Sequence, residues 1–162
     1  MPSPCVAAAE RGFTLLEMLV ALVVASIMLG LVAVQLMPDE QAVLREEAER
    51  LAYLMQSGGM AAQAGGQALA WSGAGKDYRF WKKDRHGNWL RIERDTLLHP
   101  RALAEGVSIA RVELNGRLLE AGDKLPLSPA LAAPEFRIWL ASGERKLAVR
   151  GNGLGAVTVA AQ

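Results

Sequence analysis

The sequence predicts an α+β fold: one long N-terminal helix packed on an antiparallel β domain of about seven or eight short strands. Three observations predict it. From Phe13 to Met37 there are 25 residues with a single charge, Glu17. From Asp39 to Gln56 apolar residues recur at helical spacing. After Gly66 the pattern changes to short apolar runs separated by turn residues.

The apolar run comes first. At about 1.5 Å per residue it would be roughly 37 Å long as a helix, enough to cross a hydrocarbon core of about 30 Å with some tilt. It is too long for a secretory h-region, and no small-x-small site ends it. A single-pass span over 13–37 is the expectation. Its orientation is open from charge alone. Arg11 is the only basic residue before it, and Arg45 and Arg50 follow it. Cys5 is the only cysteine, so no intrachain disulfide can form and cysteine pairing cannot reveal the compartment.

Pro38 ends or kinks the apolar helix, and Asp39-Glu40 suit a first turn. Leu44, Ala48, Leu51 and Met55 then form one stripe, with Glu46, Glu47, Glu49 and Arg50 elsewhere around the wheel. Glu46–Arg50 has the spacing of a favourable i,i+4 pair. Gly58-Gly59 weakens this helix, and Gly65-Gly66 stops it. The amphipathic stretch, 38–64, reads as a continuation of the apolar helix.

The strand half follows. Residues 67–71 form a short strand, and Ser72-Gly73-Ala74-Gly75 reads as a turn. Residues 78–82 and 89–93 flank the turn Asp84–Asn88 as a hairpin. The stretch 95–106 is irregular around Pro100. Residues 107–114 and 117–120 flank Asn115-Gly116, the strongest hairpin signal in the chain. The prolines of 125–134 mark a loop. Residues 135–141, 145–150 and 156–160 complete the strands, separated by turns at Ser142–Glu144 and Gly151–Gly153.

Gly12-Phe13-Thr14-Leu15-Leu16-Glu17-Met18-Leu19 resembles the type IV prepilin class III signal. Its parts are a short polar leader, Gly-Phe, an acid five positions past the cut, then a long apolar helix. The family comprises type IV pilins and the pseudopilins of type II secretion. The resemblance implies a leader 1–12 removed by prepilin peptidase after Gly12. It also implies N-methylation of Phe13, a membrane or filament-core helix 13–37, and a β-rich domain 65–162 in the periplasm. Glu17 would meet the Phe13 amine of a subunit during assembly, each charge offsetting part of the other's burial cost. Cys5 would leave with the leader, which holds one Arg and one Glu10 and is less basic than many.

The strand half resembles the minor pseudopilins of the H class (general secretion pathway protein H) through Tyr78-Arg79-Phe80 with Trp89-Leu90, the run Phe136–Glu144, and the closing Gly151–Gly155. The implied function is that of a structural subunit of the type II secretion pseudopilus. Its expected partners are other minor and major pseudopilins, prepilin peptidase, the inner-membrane assembly platform and the membrane. The alternative is a minor pilin of a type IV or DNA-uptake pilus that binds DNA.

From Lys76 to Arg94 seven basic residues are interleaved with Tyr78, Phe80, Trp81 and Trp89. Such a pattern can bind single strands. A hairpin with aromatics inward and charges outward explains it better, and nucleic acid is not an expected partner. Trp81, Lys82, Lys83 and Arg85 are candidates for a protein contact. No catalytic site, cofactor or metal is expected. His86 and His99 lack spaced ligand partners, no serine lies in a G-x-S-x-G frame, and the acids after Glu120 are too dispersed for a calcium loop.

Overall fold

The computed structural model describes residues 14–35, 39–127 and 133–161, and of 31–35 the backbone alone. The chain divides into two compact units, Met1–Pro38 and Asp39–Gln162. In the first unit, helix α1 runs Leu15–Gln35.

In the second unit, helix α2 runs Glu40–Gly65. It starts afresh: Asp39 is extended (φ −70°, ψ 102°), and its carboxylate accepts a hydrogen bond from the Gln41 N–H at 3.0 Å. The expected continuous helix is thus two helices, because an Asx cap favours initiation over propagation. Gly66, at φ 59° and ψ 19°, supplies the left-handed stop expected of it. Gly58 does not end the helix. A Cβ there would lie 2.8 Å from Leu127 Cδ1, so the glycine admits a strand side chain against the helix.

Among the described residues ten strands form two antiparallel sheets. The first sheet contains β1 (Leu69–Ala74), β2 (Asp77–Lys83), β3 (Trp89–Arg91), β4 (Arg101–Ala102) and β7 (Leu125–Leu127), in the order β3-β2-β1-β7 with β4 also on β2. The second contains β5 (Val107–Leu114), β6 (Arg117–Leu118), β8 (Phe136–Ser142), β9 (Arg145–Gly151) and β10 (Val157–Ala161), in the order β10-β9-β8-β5-β6.

Both sheets and α2 close on one core. Leu44, Ala48, Leu51 and Met55 are buried, as the helical stripe predicts, against Trp71, Tyr78 and Phe80 of the first sheet and Ile109, Ile138, Leu140 and Val149 of the second. Tyr78 and Phe80 share the inward face of β2, edge to face with centroids 6.1 Å apart.

Three sequence expectations are corrected here. Ser72-Gly73-Ala74 is strand, and the reversal comes at Gly75, φ 60°. Its small residues serve packing: a Cβ at Gly73 would lie 2.5 Å from the Trp71 ring and 2.6 Å from Ile109. Leu125-Pro126-Leu127 is an edge strand, where a proline is tolerated and both leucines are buried. Arg101–Ala102, inside the stretch read as irregular, bridges to β2.

Gly151 ends β9 opposite Phe136 rather than opening the turn. A Cβ there would fall inside the Phe136 ring contact. Gly151→Ala is expected to destabilise the domain by about 1–3 kcal/mol through overpacking, read as a lower urea midpoint with unchanged m.

Asp95 accepts the N–H groups of Leu97 and Leu98, each at 2.8 Å, and so fixes buried Leu98. The Leu98 N–H, then that of Leu97, holds the Asp95 carboxyl below its ordinary 3.8. Ionised Asp95 therefore stabilises the fold at pH above 3.8, and this is lost as pH falls through its lowered value. Asp95→Ala should cost about 1 kcal/mol at neutral pH, and less in acid unfolding curves below that window.

Candidate assembly site

Thr14 begins α1. Its hydroxyl accepts from the Glu17 N–H at 3.2 Å, and its carbonyl from the N–H groups of Glu17 and Met18 at 3.0 and 3.2 Å. Thr14-Leu15-Leu16-Glu17 is therefore a capping-box sequence, a role that its T-x-x-E spacing announces. Glu17 sits in the first turn, where the helix dipole favours a carboxylate.

Around it the helix is apolar and bare. Leu15, Leu16, Met18, Leu19 and Val20 are all exposed, Leu15 at 92%. Such a surface requires lipid or other helices to cover it. Thr14, Glu17, Ala21 and Ala25 lie along one shallow hollow with Leu16, Val20, Val24 and Met28, so the acid heads an otherwise apolar face.

Gly12 and Phe13, the expected cleavage and methylation positions, lie outside the described residues. The expected span over 13–37 extends beyond them too. Among the described residues no helix is long and apolar enough to cross a membrane. The stretch with described side chains, 15–30, covers only about 24 Å.

The candidate contact residues separate into two groups. Lys82, Lys83 and Arg85 come together, with Asp84 between them, in an open hollow that also includes Gly65 and Gly66 at the end of α2. The helix C-terminus there favours cations. Asp84 is held below its ordinary 3.8 chiefly by the Asn88 N–H, helped by that of His86, so it stays anionic within the cluster.

Trp81 stands apart. It is half-buried, its indole N–H donates to Ser72 Oγ at 2.8 Å, and Lys124 Nζ lies 4.6 Å from its ring centroid. Lys83 Nζ in turn lies 5.5 Å from the Trp89 ring. Two of the interleaved aromatics are therefore engaged within the chain.

A polar cluster in the core was not foreseen. Glu47, 3% exposed, pairs with Arg50 and accepts the Ala104 N–H at 3.1 Å. The expected Glu46–Arg50 pair is replaced by this one and by Arg45–Glu49 at 3.0 Å. Glu47 lies three residues after Leu44 and four before Leu51, on their buried face, and that position was the available signal. Tyr78 lies beside this cluster. Burial raises its phenol above 10.0, and the Arg101 and Arg50 guanidiniums pull the other way. Among the described residues no group of three His, Cys, Asp or Glu side chains could hold a metal ion.

Residues 8–33 match the family model of the prokaryotic N-terminal methylation motif. No curated protein matches the chain. One solved structure of the minor pseudopilin EpsH from the type 2 secretion system of Vibrio cholerae aligns with TM-score 0.57 at 14% identity, over 72% of this chain and 95% of that one. A second EpsH structure aligns with TM-score 0.59 at 14% identity, over 74% and 94%. The chain thus carries the prokaryotic N-terminal methylation motif and has the fold of the minor pseudopilin EpsH.

Proposed function

We propose that the chain is a minor pseudopilin, a non-catalytic subunit of the pseudopilus of a type II secretion system. The joint presence of the methylation motif at 8–33 and the EpsH fold carries this reading. On it, prepilin peptidase removes 1–12, and Phe13 becomes the methylated N-terminus. Residues 13–37 hold the subunit in the inner membrane, the amphipathic helix begins afresh within 38–64, and 65–162 form the periplasmic domain.

Assembly is mechanical. The apolar helix leaves lipid for the filament core, and the Phe13 ammonium of a subunit meets a Glu17 carboxylate. The partners are other pseudopilins and the inner-membrane assembly platform. Deleting the chain from its own cell is expected to strand folded type II substrates in the periplasm. Normal export after deletion would overturn the proposal.

A further inference from the structure

Four of the strands at the sheet edges are short and guarded. β3 has three residues and holds Arg91, and β4 has two and holds Arg101. β6 has two and holds Arg117, and β7 has three and holds Pro126. Short strands, charges and proline are the usual means of blocking edge pairing. β10 has none of them. Its five residues, Val157-Thr158-Val159-Ala160-Ala161, carry no charge, no proline and no glycine, and it ends the second sheet.

The register shows which of its groups are free. The Asn152 N–H donates to the Ala156 carbonyl at 3.0 Å, which makes 152/156 a hydrogen-bonded pair. Antiparallel pairs alternate, so Thr158 and Ala160, opposite Arg150 and Ala148, bond to β9. The N–H and C=O groups of Val157, Val159 and Ala161 point away from it, and among the described residues no backbone hydrogen bond takes them up.

The two faces beside this edge differ. On the inner side, Val159 and Ala161 border an open groove with Leu44 and Leu147, whose remaining lining is the mixed-charge set Arg45, Glu49, Glu144, Arg145 and Lys146 together with Gln41. On the outer side, the cross-strand row from β10 reads Thr158, Arg150, Arg137, Glu113. Arg137 and Arg150 stand directly opposite each other, an arrangement that disfavours the fold by itself. Arg111 adds to this exposed face and engages Glu113 at 2.7 Å, and Glu135 shares a hollow with Arg137 and Arg150, which leaves the two arginines facing one acid.

We propose that β10 is a docking edge for an extended segment of another protein, apolar on its groove side and acidic on its outer side. Main-chain pairing along Val157, Val159 and Ala161 supplies the attachment, and alternate side chains read the two faces. Arg150 lies one strand in from β10, and a partner acid lies one strand out. That separation is about 10 Å, near the screening length at physiological salt. A second copy fits poorly, since β10–β10 pairing would set two basic faces side by side. Nucleic acid offers no strand backbone to the edge. The proposal rests on the second unit alone and is independent of the pseudopilin reading.

The test uses the full chain in detergent micelles and a capped seven-residue synthetic peptide alternating glutamate and valine. With peptide, amide exchange at Val157, Val159 and Ala161 should slow about tenfold or more. Val159→Pro, which removes an outward N–H and leaves the β9 bonds intact, should abolish binding with the circular dichroism unchanged. Arg150→Glu, an exposed change that does not touch the backbone, should weaken the glutamate peptide about tenfold and favour a lysine-valine peptide instead. Absent protection, equal binding of both peptides to the unaltered chain, or binding that survives Val159→Pro would overturn the proposal. So would a β10-dependent dimer of the chain alone, or preferred protection by single-stranded DNA.

Discussion

Glu17→Gln is expected to block incorporation into the filament while leaving the chain folded and inserted. Two roles compete for this carboxylate, and glutamine separates them. As the fourth residue of the capping box begun by Thr14, glutamine serves nearly as well as glutamate. As the counter-charge of a Phe13 ammonium in a filament core it does not serve, because the ammonium is left buried and unpaired. Removing one partner of such a pair costs about 3–5 kcal/mol, or at least a hundredfold in assembly. The apolar neighbours Leu16, Val20 and Val24 offer no replacement. The second unit, Asp39–Gln162, should unfold within about 0.5 kcal/mol of the unaltered chain. Pseudopili sheared from cells expressing each variant, probed for this subunit, give the reading. Equal incorporation of Glu17→Gln and the unaltered chain would assign Glu17 to helix initiation alone.

Glu47→Ala is expected to produce a large loss of stability, about 3 kcal/mol. The carboxylate is 3% exposed, pairs with Arg50 and holds the Ala104 N–H. It thereby ties α2 to the segment after β4. Its removal leaves the part-buried Ala104 N–H unsatisfied and takes the carboxylate from the Arg50 guanidinium. The Arg50 side chain is 37% exposed, and hydration of that guanidinium keeps the loss at the lower end of the usual range. Glu47→Gln retains the acceptor for Ala104 and loses only the charge. It should cost less, about 1–2 kcal/mol. Urea unfolding of both variants checks the order, and an alanine variant no weaker than the glutamine one would contradict it.

Much of the fold was legible because its signals are local. The stripe Leu44, Ala48, Leu51 and Met55, the alternation at Tyr78 and Phe80, the Asn115-Gly116 turn and the Gly66 stop each state their structure within a few residues. The misreadings at Gly73, Gly151 and Pro126 share one cause, which is that small residues and prolines have two uses. Gly73 and Gly151 looked like turn chemistry but make room for the Trp71 and Phe136 rings, which only the tertiary fold brings onto them. Pro126 looked like a loop because its strand is an edge, a fact fixed by distant pairing with β1. At the candidate assembly site, the composition around Glu17 was readable, since one charge in a long apolar run is conspicuous. The capping role of Thr14 was equally local and was overlooked beside it. Trp81 could not be placed from sequence, because its partners Ser72 and Lys124 come from other strands and loops.

The most direct measurement is the mass of the N-terminal peptide of the chain extracted from the membranes of its own cell. A chain beginning at N-methylated Phe13, with Met1–Gly12 absent, is the predicted result. A chain that keeps its leader, or is cut anywhere other than between Gly12 and Phe13, would contradict the assignment of this segment as a prepilin signal, and with it the pseudopilin function.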